Sequence, residues 1–136
     1  MRLLRRLLTA STTVYAHCDL PCGVYDPAQA RIEAESVKMI MEKYAANEDP
    51  VFRQRALMIK EQRADLVKHH LWVLWTDYFK PDHAQKYPQL HELFWTATKQ
   101  AGAAGGKGSV DPADGQKLLD SIDEIAKIFW ETKSAA

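Results

Sequence analysis

Apolar positions along the chain recur at three-and-four spacing in four long stretches, each opened by a proline. Glu33, Val37, Ile40 and Tyr44 fall on one face, which predicts a helix over 27–46 that "AANEDP" closes. Ala56, Ile59, Arg63, Leu66, His70, Leu74 and Tyr78 keep the same spacing and predict a long helix over 50–79. Pro81, in "KPDH", stops it. Pro88 opens a third helix with Leu90, Phe94, Ala97 and Ala101 aligned, and Gly102 begins the loop "GAAGGKGS". A fourth starts at Pro112 and aligns Leu118, Ile122, Ile125 and Phe129.

The helix starts are unusually legible. Asp26-Pro27, Asp49-Pro50 and Asp111-Pro112 each place a capping acid before a proline suited to the first helical position. Nothing alternates with period two, and no internal repeat occurs. Four amphipathic helices bury their stripes together by packing side by side, so the expected fold is all-α, an antiparallel four-helix bundle over 27–136. Bundles that carry di-iron centres use a Glu-x-x-His motif on each of two helices. This chain has none.

A chain of 136 residues, 46% of them hydrophobic, is the size of one domain with one core. Lys plus Arg equals Asp plus Glu at 18 each, which leaves no positive field for nucleic acid to select. No apolar run approaches the roughly 20 residues of a membrane-spanning helix. The first sixteen residues, "MRLLRRLLTASTTVYA", differ from the rest: they carry Arg2, Arg5 and Arg6, no acid, and small residues Val14 and Ala16 placed as before a peptidase cut. The paired leucines are interrupted by arginine, so the continuous apolar segment of an export signal is missing. Residues 1–16 read as a removable leader.

Both cysteines lie in "HCDLPCGVYDP", just behind that leader. Two thiols at this spacing could close a small disulfide, hold a metal or pack. Packing suits a Gly- and Pro-containing segment poorly, and a structural zinc site usually brings a second pair of ligands. Cleavage after Ala16 changes the donor count, because it frees the α-amine of His17. The terminus then offers that amine, the imidazole, the amide nitrogen between residues 17 and 18, and the thiolates of Cys18 and Cys22. Planar nitrogen and sulfur donors of this kind suit divalent nickel or copper.

"HCDLPCGVYDP" resembles the nickel hook, His-Cys-Asp-x-Pro-Cys-Gly-x-Tyr, of the nickel-containing superoxide dismutases, and every fixed position is met. The leader and helical layout match too, so the resemblance spans essentially the whole chain. It implies disproportionation of superoxide to dioxygen and hydrogen peroxide at one redox-active nickel ion per chain. The implied ligands are His17, through amine and axial imidazole, Cys18, through amide nitrogen and thiolate, and the Cys22 thiolate. Asp19 and Gly23 belong to the hook (17–26), Leu20-Pro21 is implied to be cis, and Tyr25 and Tyr78 flank the open face of the metal. A cytoplasmic homohexamer is also implied, with a leader-processing peptidase as partner and neither nucleic acid nor membrane.

Two charges stand out independently of the resemblance. Glu33 and Arg63 occupy stripe positions expected to face the core, where a charge is costly unless paired. The resemblance gives them a role in supporting the axial imidazole, of the kind that orients metal-bound histidines. His69, His70, His83 and His91 read as ordinary helix or loop residues, and Trp72, Trp75, Trp95 and Trp130 as core or subunit-interface residues. Two other readings of the cysteines are a nickel-storage module without turnover and a redox-sensing disulfide; superoxide decay separates the first from an enzyme, and metal analysis the second.

Overall fold

The structure, a computed structural model, describes residues 23–135. The leader, His17, Cys18, Asp19, the Leu20-Pro21 bond and Cys22 lie outside the described residues.

Acid-proline starts set three of the helices. The Asp26 carboxylate accepts the Ala28 N–H at 2.8 Å as α1 (Ala28–Ala46) begins. Asp49 caps α2 (Pro50–Val73) by accepting the Val51 N–H at 3.0 Å. Asp111 does the same for the last helix, accepting the Ala113 N–H at 2.9 Å. The expected helix over 50–79 has a finer structure: after Val73 the chain widens into a π turn, Leu74–Tyr78, closed by Phe79 N–H donating to the Leu74 carbonyl at 3.0 Å. Pro81 does break the helix, but it also opens a short one, α3 (Pro81–Lys86). The third long helix, α4 (Leu90–Ala101), starts two residues later than Pro88 suggests, and α5 (Pro112–Ser134) completes the set. No strand occurs among the described residues.

The long helices pack as a ring in chain order, α1 on α2, α2 on α4, α4 on α5 and α5 back on α1. This is the up-down-up-down bundle. Tyr25, the end of α2 and the end of α5 therefore meet at one end, and the 102–111 loop lies at the other. Leu90, Phe94, Ala97, Ala101, Leu118, Ile122, Ile125 and Phe129 are all buried, as the pattern predicts.

On α1 and α2 the pattern places the core only in part: Val37, Ala56 and, in the π turn, Leu74 are buried as expected, but the rest of the stripe is not. The buried residues are Ala30, Ala34, Val37 and Met41, and Ala56, Lys60, Ala64, Val67 and Leu71. On α2 that is one position, about 100°, away from Ile59, Arg63, Leu66 and His70. Glu33 and Arg63 consequently sit on the shoulder of the core, not in it. Small residues here allow close approach of helices: a Cβ on Gly115 of α5 would come within 2.9 Å of the Lys38 backbone on α1.

Candidate metal centre

The segment that follows Cys22 is pinned to the bundle. Gly23 takes φ +66, a left-handed conformation that glycine adopts without strain. Two residues later the Tyr25 side chain is buried, with its ring centroid 5.6 Å from that of Tyr78. From α5, the Lys133 ammonium donates to the Tyr25 carbonyl at 3.3 Å and lies over the Phe129 ring. Tyr25 is thus tethered where α1 begins and α2 and α5 end.

Tyr78 closes the π turn, a distortion frequent at functional sites. Its ring lies 4.2 Å from Phe129 and 5.8 Å from His83 in a stacked arrangement, with Phe79 edge-on at 5.0 Å. Its hydroxyl is 2.8 Å from Thr132 Oγ1. Tyr25 and Tyr78 are thus ring neighbours, and Tyr78 has further partners that were not anticipated. Thr132 continues the Ile125, Phe129 stripe at helical spacing, which is the one sequence cue that could have found it. His83 had no such cue, because it reaches Tyr78 only after α3 turns the chain. Burial holds the His83 imidazole below its ordinary value, Lys80 and Lys86 acting in the same sense and Asp82 against.

Glu33 and Arg63 do pair with each other. Arg63 Nη1 lies 3.2 and 3.3 Å from the two Glu33 oxygens, with the Glu33 side chain 16% and that of Arg63 38% exposed. His70 is near enough for Glu33 to raise its pKa, but burial, helped by His69, leaves it lowered overall. Among the described residues no group of three or more His, Cys, Asp or Glu could hold a metal. The histidines at 69, 70, 83 and 91 thus form no such group among the described residues.

The family model for nickel-containing superoxide dismutase matches residues 12–133. The chain belongs to the nickel-containing superoxide dismutase family. It is 65% identical over 133 residues to the nickel superoxide dismutases of Streptomyces coelicolor and Streptomyces seoulensis, in each case covering 98% of this chain and all of the relative. Among solved structures, native nickel superoxide dismutase superposes with a TM-score of 0.83 at 66% identity, over 87% of this chain and 99% of that one. A form with nickel ligation corresponding to the oxidised state gives the same TM-score and coverage at 67% identity.

Proposed function

We propose that the chain disproportionates superoxide to dioxygen and hydrogen peroxide at one nickel ion per chain, held by His17, Cys18 and Cys22 once residues 1–16 have been removed. The observation that carries this reading is the family match across both hook and bundle. The donor chemistry fits: the described residues supply no ligand cluster, whereas His17, Cys18 and Cys22 together offer the amine, imidazole, amide nitrogen and two thiolates that nickel accepts. Bound there, nickel supplies one-electron chemistry between its divalent and trivalent states, and two superoxide anions with two protons become dioxygen and hydrogen peroxide.

The protein's own residues hold and shield that centre. Gly23 and the buried Tyr25 anchor the hook to the bundle, and Tyr25 and Tyr78 restrict what approaches. Asp19 lies within the hook. Glu33 and Arg63 orient the His17 ring. The chain from His17 to Gly23 reaches about 20 Å when extended, and Glu33 stands only about 8 Å along α1 from its start, so the imidazole can reach the pair.

Removal of residues 1–16 is what the donor set requires, because only cleavage after Ala16 frees the α-amine of His17. Assembly into a homohexamer agrees with the exposure of Trp72, Trp95 and Trp130 on the single chain. The test is nickel content and superoxide decay on the chain starting at His17. Nickel near one per chain with rapid decay supports the proposal; bound nickel without decay would make this a storage module, and no nickel would leave a thiol pair.

A further inference from the structure

Tyr78 owes its orientation to two features distant in sequence, the π turn and α5. The extra residue of that turn rotates its end relative to an α-helix, so that Tyr78 packs onto Phe129. The hydrogen bonds there have a fixed direction. Thr132 Oγ1 is 2.8 Å from the Phe129 carbonyl, which can only accept, so the threonine proton is spent on it. The 2.8 Å contact between the Tyr78 hydroxyl and Thr132 Oγ1 must then carry the tyrosine's proton. The alternative acceptor for that proton, the Phe129 carbonyl itself, is at 3.5 Å and lies in the same direction. Thr132 is buried, and the Phe129 and His83 rings lie 4.2 and 5.8 Å from that of Tyr78.

We propose that Thr132 is a positioning residue for the dismutation reaction: by accepting the single proton of the Tyr78 phenol, it leaves that oxygen able to receive a hydrogen bond but not to give one. The inference rests on the reading that Tyr78 stands beside the metal. It makes the phenol an acceptor that orients a donor such as water, and it removes Tyr78 as the source of the protons taken up in peroxide formation.

The test uses nickel-loaded chain starting at His17, as wild type, Thr132→Val, Thr132→Ser, Tyr78→Phe and the Thr132→Val/Tyr78→Phe double variant. Valine keeps the shape of threonine without the hydroxyl, and serine restores the hydroxyl. Thr132→Val is expected to lower kcat/KM by roughly 3- to 10-fold, the size of one net hydrogen bond, at unchanged nickel content. Thr132→Ser is expected to restore most of the loss, and Thr132→Val to add nothing in the Tyr78→Phe background. Independently of turnover, the ultraviolet resonance Raman difference between wild type and Tyr78→Phe is expected to show the tyrosine doublet of a donating phenol, a measurement that does not require the valine variant to fold. An accepting phenol in that difference, or an equal loss from Thr132→Val in both backgrounds, would overturn the inference while Tyr78→Phe remained impaired. Wild-type turnover in Tyr78→Phe would instead overturn the placement of Tyr78, and the role of Thr132 with it.

Discussion

Replacing Glu33 with glutamine separates a catalytic role from a structural one, because the geometry sets very different magnitudes for the two. The Glu33–Arg63 contact is 3.2 Å at its shortest, with Arg63 38% exposed, so it belongs with the solvent-screened ion pairs. Such pairs contribute about 0–1 kcal/mol. In a body of this size that is a melting shift of no more than about 4 °C, and Glu33→Gln keeps the side chain's volume and one hydrogen-bond acceptor. If the pair also orients the axial imidazole, its loss is expected to lower turnover by about 10- to 100-fold, as for other groups that support metal ligands. Nickel is expected to stay near one per chain, since His17, Cys18 and Cys22 are untouched. The assay is superoxide decay per bound nickel by stopped flow, beside a thermal melt and the electron paramagnetic resonance signal of trivalent nickel. Wild-type turnover with an unchanged axial signal would refute the reasoning and leave the pair a minor contributor to bundle stability.

Cys18→Ser and Cys22→Ser are each expected to abolish redox cycling, because an alcohol is a far poorer nickel donor than a thiolate; wild-type superoxide decay in either variant would remove that residue from the ligand set. Lys60→Met strands the Gly106 and Lys107 carbonyls, which now accept from the buried ammonium at 2.6 and 2.8 Å. The expected cost is about 2–4 kcal/mol of unfolding free energy in a denaturant titration, with turnover per nickel unchanged because the loop lies at the far end of the bundle from Tyr25 and Tyr78. His70 and His83 are both held below the ordinary value of 6.5 by burial. Below pH 6.5 the unfolded chain therefore binds protons that the folded chain refuses, and stability falls as the pH drops towards the depressed values. His70→Gln and His83→Gln are each expected to flatten that fall in melts across the range, and an unaltered slope in both would show that other groups cause it.

How much of this was legible in sequence depended on where the chemistry lies along the chain. The hook is a contiguous motif, so its donors can be read without a fold. On α4 and α5 large apolar residues line the buried face, and Leu90, Phe94, Ile122 and Phe129 mark it correctly. On α1 and α2 the buried face interleaves Val37, Met41, Val67 and Leu71 with Ala30, Ala34, Ala56, Ala64 and the aliphatic stem of Lys60, while Met39, Met58 and Trp72 stay exposed on the single chain. Reading by side-chain size then rotates the helix, which is how Glu33 and Arg63 came to be expected in the core. Lys60 is buried because its charge finds two loop carbonyls 46 and 47 residues away, a partnership no local pattern encodes. Thr132 and His83 were hidden for the same reason. Their importance lies in meeting Tyr78, and only the π turn, α3 and the packing of α5 bring them to it.

The most direct test of the nickel centre is superoxide decay and intact mass, measured side by side on a chain beginning at His17 and on one that retains Ala16. The difference between them is one residue and one donor, because Ala16 converts the His17 amine into an amide. The chain beginning at His17 is expected to carry one nickel and to remove superoxide catalytically, and the chain retaining Ala16 to show no dismutase activity. Full activity from the chain that retains Ala16 would contradict the ligand set and with it the need for leader removal.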